Sequence, residues 1–274
     1  MRIGIIVDNT QTLDGQIQQI VRAEQDGFDQ TWSLHFLQAA FDALTVIALA
    51  GQKTERIQMG TAVIPVYAFH PVALARNALT AQIACGGRLT LGLGASHRPA
   101  VENTLGLSHD RPARHMREFL TVLLALTRQS QVDFSGEVFR TKATFRGADA
   151  LPFPVMIAAL APAMLKLAGE VTDGTITWMA GPKTLETHIV PRLQEAAAAT
   201  GRGRCGSVLL CPFVLPMLPQ TLLLRPANTF IVTASYPAIA GCSISKEWPG
   251  RAMWQLSAVR PKWSSSFATW RQLV

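Results

Sequence analysis

Few side chains in this sequence are placed to move a proton, and those few follow short apolar runs. Asp8 closes the run Arg2–Val7, His35 follows Phe28–Leu34, and His97 ends the stretch Arg88-Leu89-Thr90-Leu91-Gly92-Leu93-Gly94-Ala95-Ser96-His97. Any of the three could protonate or orient a substrate, since imidazole titrates near neutrality and a carboxylate accepts protons. His97 is the first choice because it follows the glycine-rich run directly. It is either such an acid–base group or a loop histidine bonded to a carbonyl. His70, just before Pro71, reads as a helix starter rather than a ligand. His97, His109 and His115 lack tight metal-ligand spacing, and Cys85, Cys205, Cys211 and Cys242 show neither metal nor disulfide spacing, so no metal is expected.

The elements that must position these groups alternate regularly. The stretch ending at His97 is apolar on both faces, as a strand buried in a parallel sheet has to be. Gly92 and Gly94 allow another backbone or a flat ligand to come close. Strands are also expected over Arg2–Val7, Phe28–Leu34, Ile57–Ile64, Pro154–Leu160, Gly174–Trp178 and Ser207–Leu210. Helices are expected between them over Gln16–Asp26, Ala43–Gln52 (with Asp42 as N-cap), Val72–Ala84, Arg114–Thr127, Ala163–Val171 and Pro182 to about Ala199. Arg98 to Asp110 reads as a polar loop, and Val132–Lys142 as a small hairpin turning at Ser135-Gly136. Strand–helix alternation with apolar strands predicts parallel βα units, in a doubly wound sheet or a barrel. No phosphate-binding glycine fingerprint follows the first strand, which favours the barrel. In a barrel the chemistry gathers at the carboxyl ends of the strands, where the polar groups of this sequence stand.

The 274 residues suit one domain of barrel size. No apolar run is long enough for a membrane span, residues 1–20 lack a signal-type core, and the cysteine usage fits a reduced, cytoplasmic protein. The net charge of +7 does not point to nucleic acid. Residues 1–210 carry 19 basic against 17 acidic side chains, and residues 211–274 carry 6 against one, so the basicity sits in the tail and not on the body.

Several segments resemble the bacterial luciferase-like flavin- and F420-dependent oxidoreductases, most of all the F420-dependent branch. They are 23–29 (AEQDGFD), 56–65 (RIQMGTAVIP), 70–75 (HPVALA), 86–94, 110–118 (DRPARHMRE), and 167–170 running into 173–175. The resemblance implies a (β/α)8 TIM barrel with a deazaflavin or flavin lying across the strand ends. It implies cofactor contacts at Val63, Ile64 and Pro65, where a bulge with a cis peptide supports the ring. Gly94, Ala95 and Ser96 should line the ring edge. Ala159, Leu160 and Ala161 should contribute next, with Ala161 standing where the family has glycine. Trp178, Met179, Ala180 and Gly181 lead into a helix N-terminus that favours an anionic phosphate. The implied activity is hydride transfer between coenzyme F420 and a small organic substrate, with no nucleic-acid or membrane partner and a homodimer as the assembly. Such transfer needs a flat, dry slot that backbone and small residues can build. FMN-dependent monooxygenation is the alternative within the family, and a non-catalytic barrel remnant the alternative outside it.

The resemblance stops near Leu210. Beyond it the strand–helix period is lost, and the tail holds four of the six tryptophans and seven of the sixteen prolines, where an intact barrel needs two more helices and a strand. Codons compatible with residues 210–274, read one base upstream, permit an acidic, helix-patterned string containing a strand-like VAIVG. Met253-Trp254, which allow no wobble, contribute GTG to that reading. The tail therefore reads as a frameshift product, giving residues 1–210 as a barrel domain of seven strands and 211–274 as a non-homologous addition. With no native eighth strand, Arg2–Val7 should present an unpaired edge, the barrel should be incomplete at its C-terminal end, and the tail should be irregular.

Overall fold

The runs that are apolar on both faces become strands, and the amphipathic runs between them become the helices that cover those strands. The structure, a computed structural model, describes residues 2–146, 151–178, 180–202, 206–210 and 230–235. The elements are β1 (Arg2–Val7), α1 (Leu13–Gln25), β2 (Gln30–Ser33), α2 (Ala43–Gly51), β3 (Gln58–Thr61), β4 (Ile64–Pro65), α3 (Pro71–Ala84), β5 (Leu89–Gly94) and α4 (Pro112–Gln129). After these come the hairpin β6 (Gln131–Ser135) and β7 (Arg140–Thr144), then β8 (Val155–Ala158), α5 (Pro162–Val171) and β9 (Gly174–Trp178). A helical run follows, made of α6 (Pro182–Thr184), a π-helical turn (Leu185–Ile189) and α7 (Val190–Ala199). The last elements are β10 (Gly206–Leu210) and β11 (Phe230–Ser235).

Local chemistry starts the helices where the sequence places them. Thr12 Oγ1 accepts from the Gly15 N–H at 3.1 Å, and Asp42 Oδ1 from the Thr45 N–H at 2.7 Å. His70 Nδ1 accepts from the Val72 N–H at 3.3 Å, with Pro71 next to it in the first turn, so His70 is a cap.

The strands close into a ring. β1, β2, β3, β5, β8, β9 and β10 are parallel to one another, and β3 also pairs with β5. The eighth place is taken by β11, which runs antiparallel to both neighbours, with Ile5 opposite Phe230 and Leu210 opposite Ile231. This corrects two expectations. The Arg2–Val7 edge is paired, because β11 supplies the backbone donors and acceptors that a parallel eighth strand would have supplied. The tail also forms regular structure at Phe230–Ser235, a β-branched and apolar run (FIVTAS) suited to a strand. Its remaining residues, 211–229 and 236–274, lie outside those described.

Alternation along each strand separates two cores. Ile5, Val7, Met59, Leu89, Leu91, Leu93, Val155 and Ile157 face the helices and pack with Ile20, Ile47, Leu74, Phe119 and Leu123. Ile6, Trp32, Ala62 and Ile176 form a second cluster, with Leu34, Val63 and Met156 packed against it. β9 does not adjoin β1, β2 or β3, so this second cluster fills the lumen.

Two charged side chains tie the end of the barrel opposite the site. The buried Arg88 guanidinium donates to the carbonyls of Gly51, Thr54, Ile57 and Cys85 and to Thr54 Oγ1. The Glu24 carboxylate accepts the N–H groups of Glu55, Arg56 and Ile57. Both satisfy backbone groups of the turns leading into β3 and β5.

Candidate functional site

The parallel register brings the carboxyl ends of the strands to one mouth. Val7 stands opposite Ser33, Ser33 opposite Thr61, Pro65 opposite Gly94, Leu93 opposite Ile157, Ala158 opposite Ile176, and Trp178 opposite Leu210. Asp8, His35, Val63–Pro65, Gly94–His97, Ala159–Ala161, Trp178, Ala180 and Gly181 therefore all lie at this end. Met179 is outside the described residues.

The wall between β3 and β5 is the most constrained part of the mouth. From Gly60 to Ile64 the chain advances four residues while its partner advances three, from Thr90 to Leu93, which makes a bulge. The Ala62–Val63 peptide within it is cis. Thr61 Oγ1 bridges the interrupted ladder, donating to the Gly92 carbonyl and accepting from the Gly92 N–H, both at 2.9 Å. Thr61 was not singled out from the sequence, because only the register reveals the gap that its hydroxyl fills. Gly94 lies directly beneath the half-buried Val63: a Cβ on Gly94 would stand 2.5 Å from Val63 Cγ2. Val63 is thus held over the end of β5 by the absence of a side chain there.

Two histidines fix carbonyls at the rim. His109 Nε2 is 3.1 Å from the Ala95 oxygen and His188 Nε2 is 2.9 Å from the Leu160 oxygen. A carbonyl only accepts, so both imidazoles carry their proton on Nε2. His109 also lies against Tyr67, which stacks on His115 with ring centroids 4.0 Å apart. Burial pushes the Tyr67 phenol up, helped by Asp110, and pushes the His115 imidazole down against the opposing pull of Glu118. Sequence alone assigns His109 no role apart from a rejected metal set. Its partner is a main-chain oxygen 14 residues away, which leaves no mark in residue types.

The three acid–base candidates differ sharply in their freedom. Burial pushes the Asp8 carboxyl up, but hydrogen bonds from Gln11 and Thr10 outweigh it and hold the group below its ordinary value. Those bonds, from Thr10 N–H at 3.0 Å, Thr10 Oγ1 at 2.7 Å and Gln11 Nε2 at 3.0 Å, make Asp8 the acceptor of a local turn. His35 is held as well, its Nδ1 accepting from the Ala43 N–H at 3.3 Å at the start of α2. Burial pushes its pKa down and outweighs the opposing effect of Asp42, so the ring is neutral. His97 is exposed and makes no side-chain hydrogen bond to a described residue. The carbonyl-bound loop histidine is His109 instead. Ser96 precedes His97 in the left-handed region at φ 61°, which turns the chain off the strand end.

The other side of the mouth is apolar and open. Leu160 and Trp178 are 52% and 45% exposed. Ala161, in the place of a family glycine, is exposed at φ −72° and ψ 146°, extended backbone that any residue adopts, so the extra methyl costs no strain. Gly181 is exposed with nothing within 4 Å of its missing side chain, and its carbonyl accepts from the Leu185 N–H to open the helical run. Among the described residues no group of three His, Cys, Asp or Glu side chains could hold a metal, and no helix is long and apolar enough to cross a membrane.

Residues 1–214 match the family described as luciferase-like monooxygenase. A 5,10-methylenetetrahydromethanopterin reductase of Archaeoglobus fulgidus is 33% identical over 184 residues, 66% of this chain and 54% of that protein. An F420-dependent glucose-6-phosphate dehydrogenase of Nakamurella multipartita is 33% identical over 196 residues, 66% of this chain and 57% of that protein. The chain thus spans less than two thirds of the length of either relative. Among solved structures, an F420-dependent secondary alcohol dehydrogenase in complex with an F420–acetone adduct superposes with a TM-score of 0.67 at 23% identity. That superposition covers 74% of this chain and 66% of the other, and shows the shared fold.

Proposed function

The chain belongs to the luciferase-like monooxygenase family, and from that premise we propose that it is a coenzyme F420-dependent oxidoreductase acting on a small organic molecule. The observation that carries the reading is the mouth itself. A flat ligand needs a wall without protruding side chains, and the bulge at Val63–Pro65 over the bare Gly94 is such a wall. The exposed faces of Leu160 and Trp178 offer apolar cover opposite it, and small residues stand at Ala95, Ser96, Ala159, Ala161 and Ala180. The choice of F420 over FMN rests on the names of the sequence relatives. When bound, the deazaflavin supplies the carbon that gives or takes hydride. The chain would hold its ring on Val63, Ile64, Pro65 and Gly94, and its anionic tail near Gly181 at the start of the helical run. His97 is the group we assign to hold or move the substrate proton, because Asp8 and His35 are committed to backbone and turn contacts.

The same reading keeps the protein cytoplasmic and homodimeric, and gives residues 1–210 the function. Residues 211–274 we infer to be the product of a shifted reading frame. The loss of acidic residues, the end of the family match at residue 214 and the reversed direction of β11 support this. Sequencing the encoding DNA tests it, and a shifted frame that lacks the acidic, helix-patterned string refutes it. Absorption titrations of the protein with F420 and FMN test the function. Saturable F420 binding at micromolar concentration is expected; FMN binding without F420 binding would point to the monooxygenase alternative, and binding of neither to a non-catalytic remnant.

A further inference from the structure

Among the described buried polar side-chain atoms, five lack a hydrogen-bond partner, and only one of them faces the lumen: Trp32 Nε1. Trp32 is 2% exposed and stands one residue before the mouth end of β2. Its ring packs with Ile6, Ala62 and Ile176, contributed from both sides of the barrel. The benzo edge lies over Gly60, where a Cβ would come within 2.5 Å of Cε3 and Cζ3. Gly60 thus meets the face of the benzo ring, and Nε1 lies at the opposite edge of the indole from Cε3 and Cζ3. Leu34, Val63 and Met156, each half-buried, pack against this cluster, and Leu34 and Val63 follow Trp32 and Ala62 toward the strand ends. Val63 is the residue poised over Gly94.

An indole N–H only donates, and a donor buried without an acceptor is costly. We propose that Trp32 Nε1–H is a ligand-binding donor in the floor of the mouth, taking a ring carbonyl oxygen or an unprotonated ring nitrogen of the bound planar ligand. This rests on the cofactor reading above and adds to it a specific hydrogen bond. It also accounts for a tryptophan in a layer where an aliphatic side chain could fill the same space without an unpaired polar atom.

The test follows the indole N–H resonances of the full chain labelled with 15N-tryptophan, with Trp32 assigned by W32F, during titration with F420 and, separately, FMN. Binding should move the Trp32 resonance downfield and slow its exchange with solvent. W32F should bind the same ligand about 5- to 10-fold more weakly, and W32H, which keeps a ring N–H, should fall between the two. W32H also serves if W32F does not fold. If a ligand saturates the protein while the Trp32 resonance stays in place, or if W32F binds as tightly as wild type, the Trp32 assignment is wrong and the cofactor reading stands. If the wild type binds neither ligand, both fail.

Discussion

Replacing Gly94 with alanine tests the construction of the mouth. The new Cβ would stand 2.5 Å from Val63 Cγ2 and 3.7 Å from Ala158 Cβ. The second contact is ordinary, and the first is not tolerable. Val63 leads directly into the β4 pairing with β5, so its backbone is held there and the valine side chain must move. Overpacking of this kind costs about 1–3 kcal/mol, which for a protein of this size lowers the melting temperature by roughly 3–10 °C. Because Val63 forms the wall on which the ligand would lie, the same displacement should weaken F420 binding at least about tenfold, equivalent to about 1.4 kcal/mol. V63A removes the atom that collides, so V63A/G94A should recover most of the loss. The coupling in that double-mutant cycle should be about 1 kcal/mol or more in both melting and ligand titration. If G94A melts and binds like the wild type, or if the two substitutions are additive, Val63 is not held by the bare glycine and the argument for the wall fails.

Two further outcomes follow from the rest of the structure. H97Q should leave F420 affinity within about twofold while lowering turnover of any substrate the wild type converts by about a hundredfold or more; unchanged turnover would remove His97 from the reaction. Glu24 and Glu118 each accept three backbone N–H groups. Burial raises both pKa values, but those hydrogen bonds outweigh it and leave both lowered. Their contribution to stability should therefore be complete above about pH 5 and be lost as the pH falls through the depressed values. Melting temperatures from pH 7 to pH 3 should fall less steeply for E24Q/E118Q than for the wild type; parallel curves would contradict this.

The order of strands and helices was readable because strands covered on both faces are apolar throughout, and Leu89–Gly94 and Gly174–Trp178 show this plainly. The mouth was readable for the same reason, since strand ends in a parallel ring share one side. What could not be read were contacts made by chain segments returning from a distance. The main-chain partners of His109 and His188, the bond from Thr61 to Gly92 and the five hydrogen bonds of Arg88 all depend on register. Asp8 is a different case, because Asp8 and Thr10 carry the local signature of a side-chain turn, which tells against a free carboxylate. The run Phe230–Ser235 carried its own strand signal, β-branched and apolar. The expectation of an irregular tail passes over that signal, and the edge of β1 pairs with this extended apolar segment.

The central claim is that this mouth takes a deazaflavin. Equilibrium dialysis of the full-length chain against an equimolar mixture of F420 and FMN tests it most directly, with the retained ligand identified by its absorption spectrum. The structure and its relatives predict F420 retained at close to one per chain, with little FMN. Retention of FMN in preference to F420, or of neither, would contradict it.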